Sequence, residues 1–227
     1  MHEPLHTGLL SMLGTSDRAK TVIQRYLVAA LVLLASFALD GPAREARASV
    51  AKAVPSWLVH SLSHGGDLVT LATIVVALLS AGLVARRSRL TRAAAVLAVA
   101  LVATGVVVMW LKMVASRGED GVFHGFWTGK RGIMFPSGHT ALAFAACVVI
   151  GAVWRRLRWP AWVIAAGVAF SRATLIHFLS DVVAGAFVGV LVGQFVTNWA
   201  AKKGFLELDS GSRGAPAADP ARPPAER

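Results

Sequence analysis

The chain has 227 residues, 56% of them hydrophobic and only 15% charged, with a formal net charge of +11. The apolar residues run in long blocks rather than amphipathic periods, which excludes an ordinary soluble domain and points to a polytopic membrane protein. The Lys and Arg residues sit in short clusters between those blocks, where they act as topology signals, so the basic excess argues against nucleic acid as a partner.

A membrane-spanning helix needs about 20 apolar residues. Six segments meet that need, near 22–39, 67–85, 93–115, 139–154, 160–176 and 181–199. The expected fold class is therefore all-α, a six-transmembrane-helix bundle forming one domain over 1–203, followed by a disordered cytoplasmic tail over 204–227. The tail is read as disordered because it is rich in Gly, Pro, Ala and charge and has no apolar period.

Before the first span stand Arg18, Lys20 and Arg25. After it, Ala46-Arg47-Ala48 has the small-residue spacing of a signal cleavage site, but the apolar stretch is long and the segment is read as a retained span. The second loop carries Arg86, Arg87, Arg89 and Arg92, the fourth Arg155, Arg156 and Arg158, and Lys202 and Lys203 follow the last span. These twelve share one side; the other holds six, namely Arg44, Arg47, Lys52, Arg117, Lys130 and Arg131. The positive-inside rule then places both termini in the cytoplasm of a bacterial inner membrane. Trp110, Trp154, Trp159, Trp162 and Trp199 fall near span ends, as an interfacial belt requires. The fourth and fifth spans are short, so their ends must lie near the surface or in a water-filled cavity. Cys147, the single cysteine, reads as a small buried hydrophobe. In the sixth span Gly185, Gly189 and Gly193 repeat every four residues, a packing stripe for a neighbouring helix.

Ionisable groups at membrane depth are costly and tend to be functional. Lys112 and Arg117 close the third span, Phe135-Pro136-Ser137-Gly138-His139 opens the fourth, and Arg172, His177 and Asp181 straddle the junction of the fifth and sixth. Loop charge alone puts all three groups at the outer face. Ser137 stands where a helix cap belongs and Gly138 admits close approach, so the start of the fourth span offers free N–H groups to an anion. His177 and Asp181 are four apart, one helical turn, so the carboxylate can orient the imidazole for attack. Lys112, Arg117 and Arg172 can supply the positive charge that phosphoryl transfer needs, and His139 can protonate a leaving oxygen. Singly these signals are weak, and a lone His-x3-Asp is commonly a structural hydrogen bond. A zinc site from His124, His139, His177 and Asp181 is the chemical rival, but no close-spaced ligand pair supports it; no metal and no cofactor are expected.

Pro136-Ser137-Gly138-His139 together with His177-x3-Asp181, continuing as Val182-Val183-Ala184-Gly185, resembles the phosphatidic-acid-phosphatase type 2 (PAP2) superfamily over about residues 66–199. Two positions depart from its signatures. The Arg-Pro expected seven residues after Lys112 is replaced by Glu119-Asp120, leaving Arg117, and four residues rather than five separate Arg172 from His177. The resemblance implies a metal-independent two-step hydrolysis. In it His177 is the nucleophile, His139 the general acid and Asp181 the orienting group, while Lys112, Arg117, Ser137, the Gly138 N–H and Arg172 hold the phosphate. The implied substrate is a lipid-linked phosphate or diphosphate at the periplasmic leaflet. The competing expectation, motivated by the two departures, is a catalytically silent membrane protein that binds a phospholipid head group or a partner.

Overall fold

The computed structural model describes residues 17–126 and 133–206. Lys130 and Arg131 of the third loop, and the tail from 207 onward, lie outside the described residues. Eight α-helices are present among them: α1 Asp17–Ala38, α2 Asp40–Ala53, α3 Ser56–His64, α4 Leu68–Val84, α5 Ser88–Ala115, α6 Gly138–Val153, α7 Arg158–Leu175 and α8 Leu179–Lys202, with a 3-10 turn at Arg155–Leu157.

Each of the six apolar segments falls on a helix: α1, α4, α5, α6, α7 and α8. By length and composition three of these can cross a membrane alone (Lys20–Ala38, Ser88–Ala115, Leu179–Lys202), and α3 with α4 makes a fourth candidate as a pair bent by 51°. α6 is apolar but only 16 residues long. α7, of 18 residues, carries Arg158 and Arg172 at its ends. The fourth and fifth apolar segments, expected to be short, form the 16-residue α6 and an α7 with charged residues near both ends, so by length and composition three to four candidate spans stand among the described residues. Two helices were not anticipated. α2 is rich in Ala, Arg and Lys and has too little apolar surface to register as a span, and α3 is cut from α4 at Gly65-Gly66-Asp67.

α6 is the centre of the bundle, packed against α5, α7 and α8. Leu97, Ala100 and Leu101 of α5, Ala146, Val149 and Val153 of α6, and Val196 and Ala200 of α8 form one buried cluster; Ala143 and Cys147 of α6 meet Ala165 and Val168 of α7 in a second. Lipid is as apolar as leucine, so small residues that admit close van der Waals approach must hold these helices together. A Cβ on Gly185 would collide with the Ser137 carbonyl oxygen, and one on Gly189 with that of Ala141. The glycine stripe therefore seats the α6 backbone. Large apolar residues face outward, among them Leu27, Leu31 and Leu34 of α1 and Trp110, Trp159 and Trp199.

At one end of the bundle Arg89 donates to the Val153 carbonyl at 2.6 Å and closes the C-terminus of α6. At the other end the chain leaves α5 through Ser116 in a left-handed conformation (φ 45°) and doubles back, pairing Arg117 with Phe123. That end collects the C-termini of α5 and α7, the N-termini of α6 and α8, the α1–α2 junction and the α3–α4 break.

Replacing Gly189 by Ala should destabilise the bundle by about 1–3 kcal/mol, because the α6 carbonyl must move. Thermal unfolding in detergent should show it as an earlier midpoint. Gly105→Ala, whose Cβ meets nothing within 4 Å, should leave the midpoint unchanged.

Candidate active site

Asp181 is fully buried at the third position of α8. One carboxylate oxygen accepts from the Phe178 N–H at 3.0 Å, capping the helix, and stands 3.4 Å from His177 Nδ1. The imidazole contact is longer than the ordinary 2.7–3.2 Å of an N–H···O bond. Unliganded catalytic contacts are commonly loose in this way. With Nδ1 turned to Asp181, Nε2 of His177 is the nitrogen left for chemistry. His177 itself is 5% exposed. Burial is the main influence that holds its pKa below the ordinary histidine value, and repulsion from Arg172 and Lys112 adds to it; the bond and charge of Asp181 pull the other way. The net effect favours the uncharged imidazole.

The other Asp181 oxygen accepts from Arg117 at 2.7 Å. Arg117 also donates to Ser180 Oγ at 2.7 Å, to Asp40 at 2.8 Å and to the Gly121 carbonyl at 3.1 Å. Four of its five N–H groups are thereby engaged. Its guanidinium also lies over the rings of Phe178, Phe123 and Phe37, at 4.1, 4.9 and 5.7 Å. Arg117, expected among the phosphate contacts, is sealed behind His177 in contact with two carboxylates. Glu119 and Asp120, which stand where the signature Arg-Pro was sought, are exposed, and Asp120 caps the Val122 N–H at 3.0 Å.

Lys112, at the end of α5, donates to the Ile133 carbonyl. Arg172 donates to Ser63 Oγ at 3.1 Å, while its Nε is buried with no hydrogen-bond partner. These two cations act electrostatically on both His139 and His177. The shortened Arg172-to-His177 spacing does not turn the arginine away. α7 ends at Leu175 and the His177 N–H bonds back to the Arg172 carbonyl at 3.0 Å. The four-residue spacing thus runs through a non-helical corner.

Ser137 occupies the cap position of α6 but does not cap it. Its hydroxyl accepts from Thr140 Oγ1 at 3.0 Å, its N–H bonds the Asp181 carbonyl at 2.9 Å, and it is fully buried. Gly138 lies beside it, and a Cβ placed there would meet Val108 as its nearest neighbour, at 3.7 Å. His139 is half-buried and its Nε2 lies 2.6 Å from Asp67.

Sequence reasoning did not reach Asp40, Asp67, Ser180 or Arg47. Asp40 accepts from Ser180 as well as Arg117, and Arg47 donates to the His177 carbonyl. Nothing in the motifs flags them; the one signal was an ionisable residue close to an apolar block. Among the described residues no three His, Cys, Asp or Glu side chains converge as a metal site, and His124 stands apart beside Asp120 at 3.9 Å.

The family profile of the PAP2 superfamily matches residues 93–205, about half the chain. A lipid A 4'-phosphatase of Porphyromonas gingivalis is 34% identical over 76 residues, which span 32% of this chain and 31% of that protein. The crystal structure of a transmembrane PAP2-type phosphatidylglycerolphosphate phosphatase from Bacillus subtilis superimposes with a TM-score of 0.58 at 21% identity, covering 79% of this chain and 96% of that one. By the profile match over α5 to α8, with the helical architecture in agreement, this chain belongs to the PAP2 superfamily.

Proposed function

We propose that the chain hydrolyses a phosphate monoester or diphosphate on a membrane lipid, without a metal, through a phosphohistidine on His177. The observation that carries this reading is the gathering of a buried His177 with His139, Arg172 and Lys112 at one end of the bundle. In the first step His177 Nε2 attacks phosphorus, the bond to the leaving oxygen breaks, and His139 delivers its proton to that oxygen. In the second, His139 takes a proton from water as the water attacks phosphorus, and the N–P bond breaks to release phosphate. Lys112, Arg172 and the Gly138 N–H hold the equatorial oxygens. Ser137 and Arg117 support the site from behind, Arg117 by fixing Asp181 and so the ring of His177.

The orientation follows from charge. The end bearing the site carries fewer loop cations than the opposite end, so the positive-inside rule places it at the periplasmic face of the inner membrane. The relatives named above act on lipid A and on phosphatidylglycerolphosphate, and a phosphate borne by a membrane lipid suits a site at the mouth of a helix bundle. Whether such a lipid carries one phosphate or two, the chemistry at His177 is the same.

Three outcomes are expected. Detergent-purified protein should release phosphate from lipid phosphates in the presence of EDTA, and His177→Ala should abolish release and the acid-labile phosphoprotein; a folded wild type that releases none from any lipid would leave the head-group binder as the answer. In NMR of histidine-labelled protein, His177 should titrate below 6.5, the ordinary value, and Arg172→Gln should move it upward, since a repelling charge is lost. Arg117→Ala should cost about 3–5 kcal/mol in unfolding measurements, because Asp40 and Asp181 are left buried and unpaired, and should lower activity with it.

A further inference from the structure

α4 begins at Asp67, where a carboxylate ordinarily accepts from the amides of the first turn. Asp67 makes no such bond. Both of its oxygens are instead turned to imidazoles: Oδ1 is 2.6 Å from His139 Nε2, and Oδ2 is 2.6 Å from His64 Nδ1. The break in the α3–α4 pair makes this possible. A Cβ on Gly66 would sit 2.5 Å from the His139 carbonyl oxygen and 2.9 Å from its Cβ, so only glycine lets the break lie directly against the start of α6.

Resting on the hydrolytic reading above, we infer that Asp67 is the positioning residue of the general acid, a second histidine–carboxylate couple facing His177–Asp181 across the phosphate. The carboxylate accepts from Nε2–H of His139, which fixes the ring and leaves Nδ1 as the atom that hands its proton to the leaving oxygen. The negative charge also compensates the imidazolium that must exist before transfer, in a site whose neighbouring groups Lys112 and Arg172 are cationic. His64, 70% exposed, shares the carboxylate from the water side and holds its second oxygen in place.

A positioning role for the acid differs from a role in the helix break by its dependence on the leaving group. An alkoxide needs protonation as the bond breaks; p-nitrophenolate does not. Asp67→Asn and Asp67→Ser both keep a residue that caps helices well and remove the carboxylate. Each should lower kcat/KM, which reports the first step alone, for octyl phosphate by about 10–100-fold, within the span of general-acid effects, while changing kcat/KM for p-nitrophenyl phosphate by less than about 3-fold. His177→Ala should lose both activities in the same assay. Equal losses on the two substrates, no loss on either, or failure of both Asp67 variants to fold would overturn the inference and leave Asp67 a structural residue. A wild type that releases phosphate from neither substrate nor from any lipid phosphate, or a His177→Ala variant that keeps activity, would instead overturn the hydrolytic reading on which it rests.

Discussion

The buried guanidinium of Arg117 ties together three segments distant from one another in the chain. It joins Asp40 at the α1–α2 junction to Asp181 and Ser180 at the head of α8, with Gly121 of the α5–α6 loop as a third anchor. Removing charges from water is expensive, and such an arrangement persists only when hydrogen bonds satisfy nearly every donor and acceptor. Here four guanidinium N–H groups are bonded, and the aromatic rings of Phe37, Phe123 and Phe178 exclude water around it. The consequence reaches the chemistry directly: Asp181 is locked by Arg117 on one oxygen and by the Phe178 amide on the other, so the carboxylate that faces His177 has little freedom to move.

That same arrangement explains why a signature arginine can be missing. Lys112 closes α5, and just past the end of that helix the left-handed Ser116 turns the chain back, burying Arg117 and sending Glu119 and Asp120 out to solvent. A cation in Arg117's position, five residues beyond Lys112, is engaged by the carboxylates Asp40 and Asp181 behind His177. On the proposed reading the phosphate would fall to Lys112 and Arg172, both near helix C-termini. Their side chains reach over the ends of α5 and α7 while the backbone carbonyls there still find partners, and those ends are where a bundle in lipid can open its backbone to polar groups.

Much of this was legible in the sequence, and the parts that were not share one cause. Apolar runs and clustered arginines locate α1 and α4 to α8, because length and composition decide what lipid accepts. The pairing of His177 with Asp181 is legible because both lie within one turn. α2 and α3 were not legible, since an Ala-Arg helix and a Gly-Gly break carry no apolar period of membrane length. Asp40 and Asp67 were missed for the same reason at the level of side chains. Their partners are 77 and 72 residues away along the chain, and no local pattern records a contact made only by packing. The effect of the shortened Arg172-to-His177 spacing was not legible either, because the chain between them leaves the helix.

Exposure across the site is graded, and the gradient gives the reaction a direction. Side-chain exposure is 0% for Asp181 and 5% for His177, then 34% for His139, 33% for Asp67 and 70% for His64. Attacking and leaving groups stand roughly in line on opposite sides of phosphorus. If His177 attacks from the buried side, the leaving oxygen must lie on the side of His139, toward the open mouth of the bundle. A lipid whose phosphate is cleaved would then keep its remainder at the surface throughout, and never thread it past the Arg117 cluster. Water for the second step would arrive by the same route, meeting His139 first. On the proposed mechanism, the group that would give up a proton to the departing oxygen is also the group placed to accept one from the incoming water. A half-exposed histidine held by its own carboxylate can serve both steps, whereas one buried as deeply as His177 would have no access to the water it must activate.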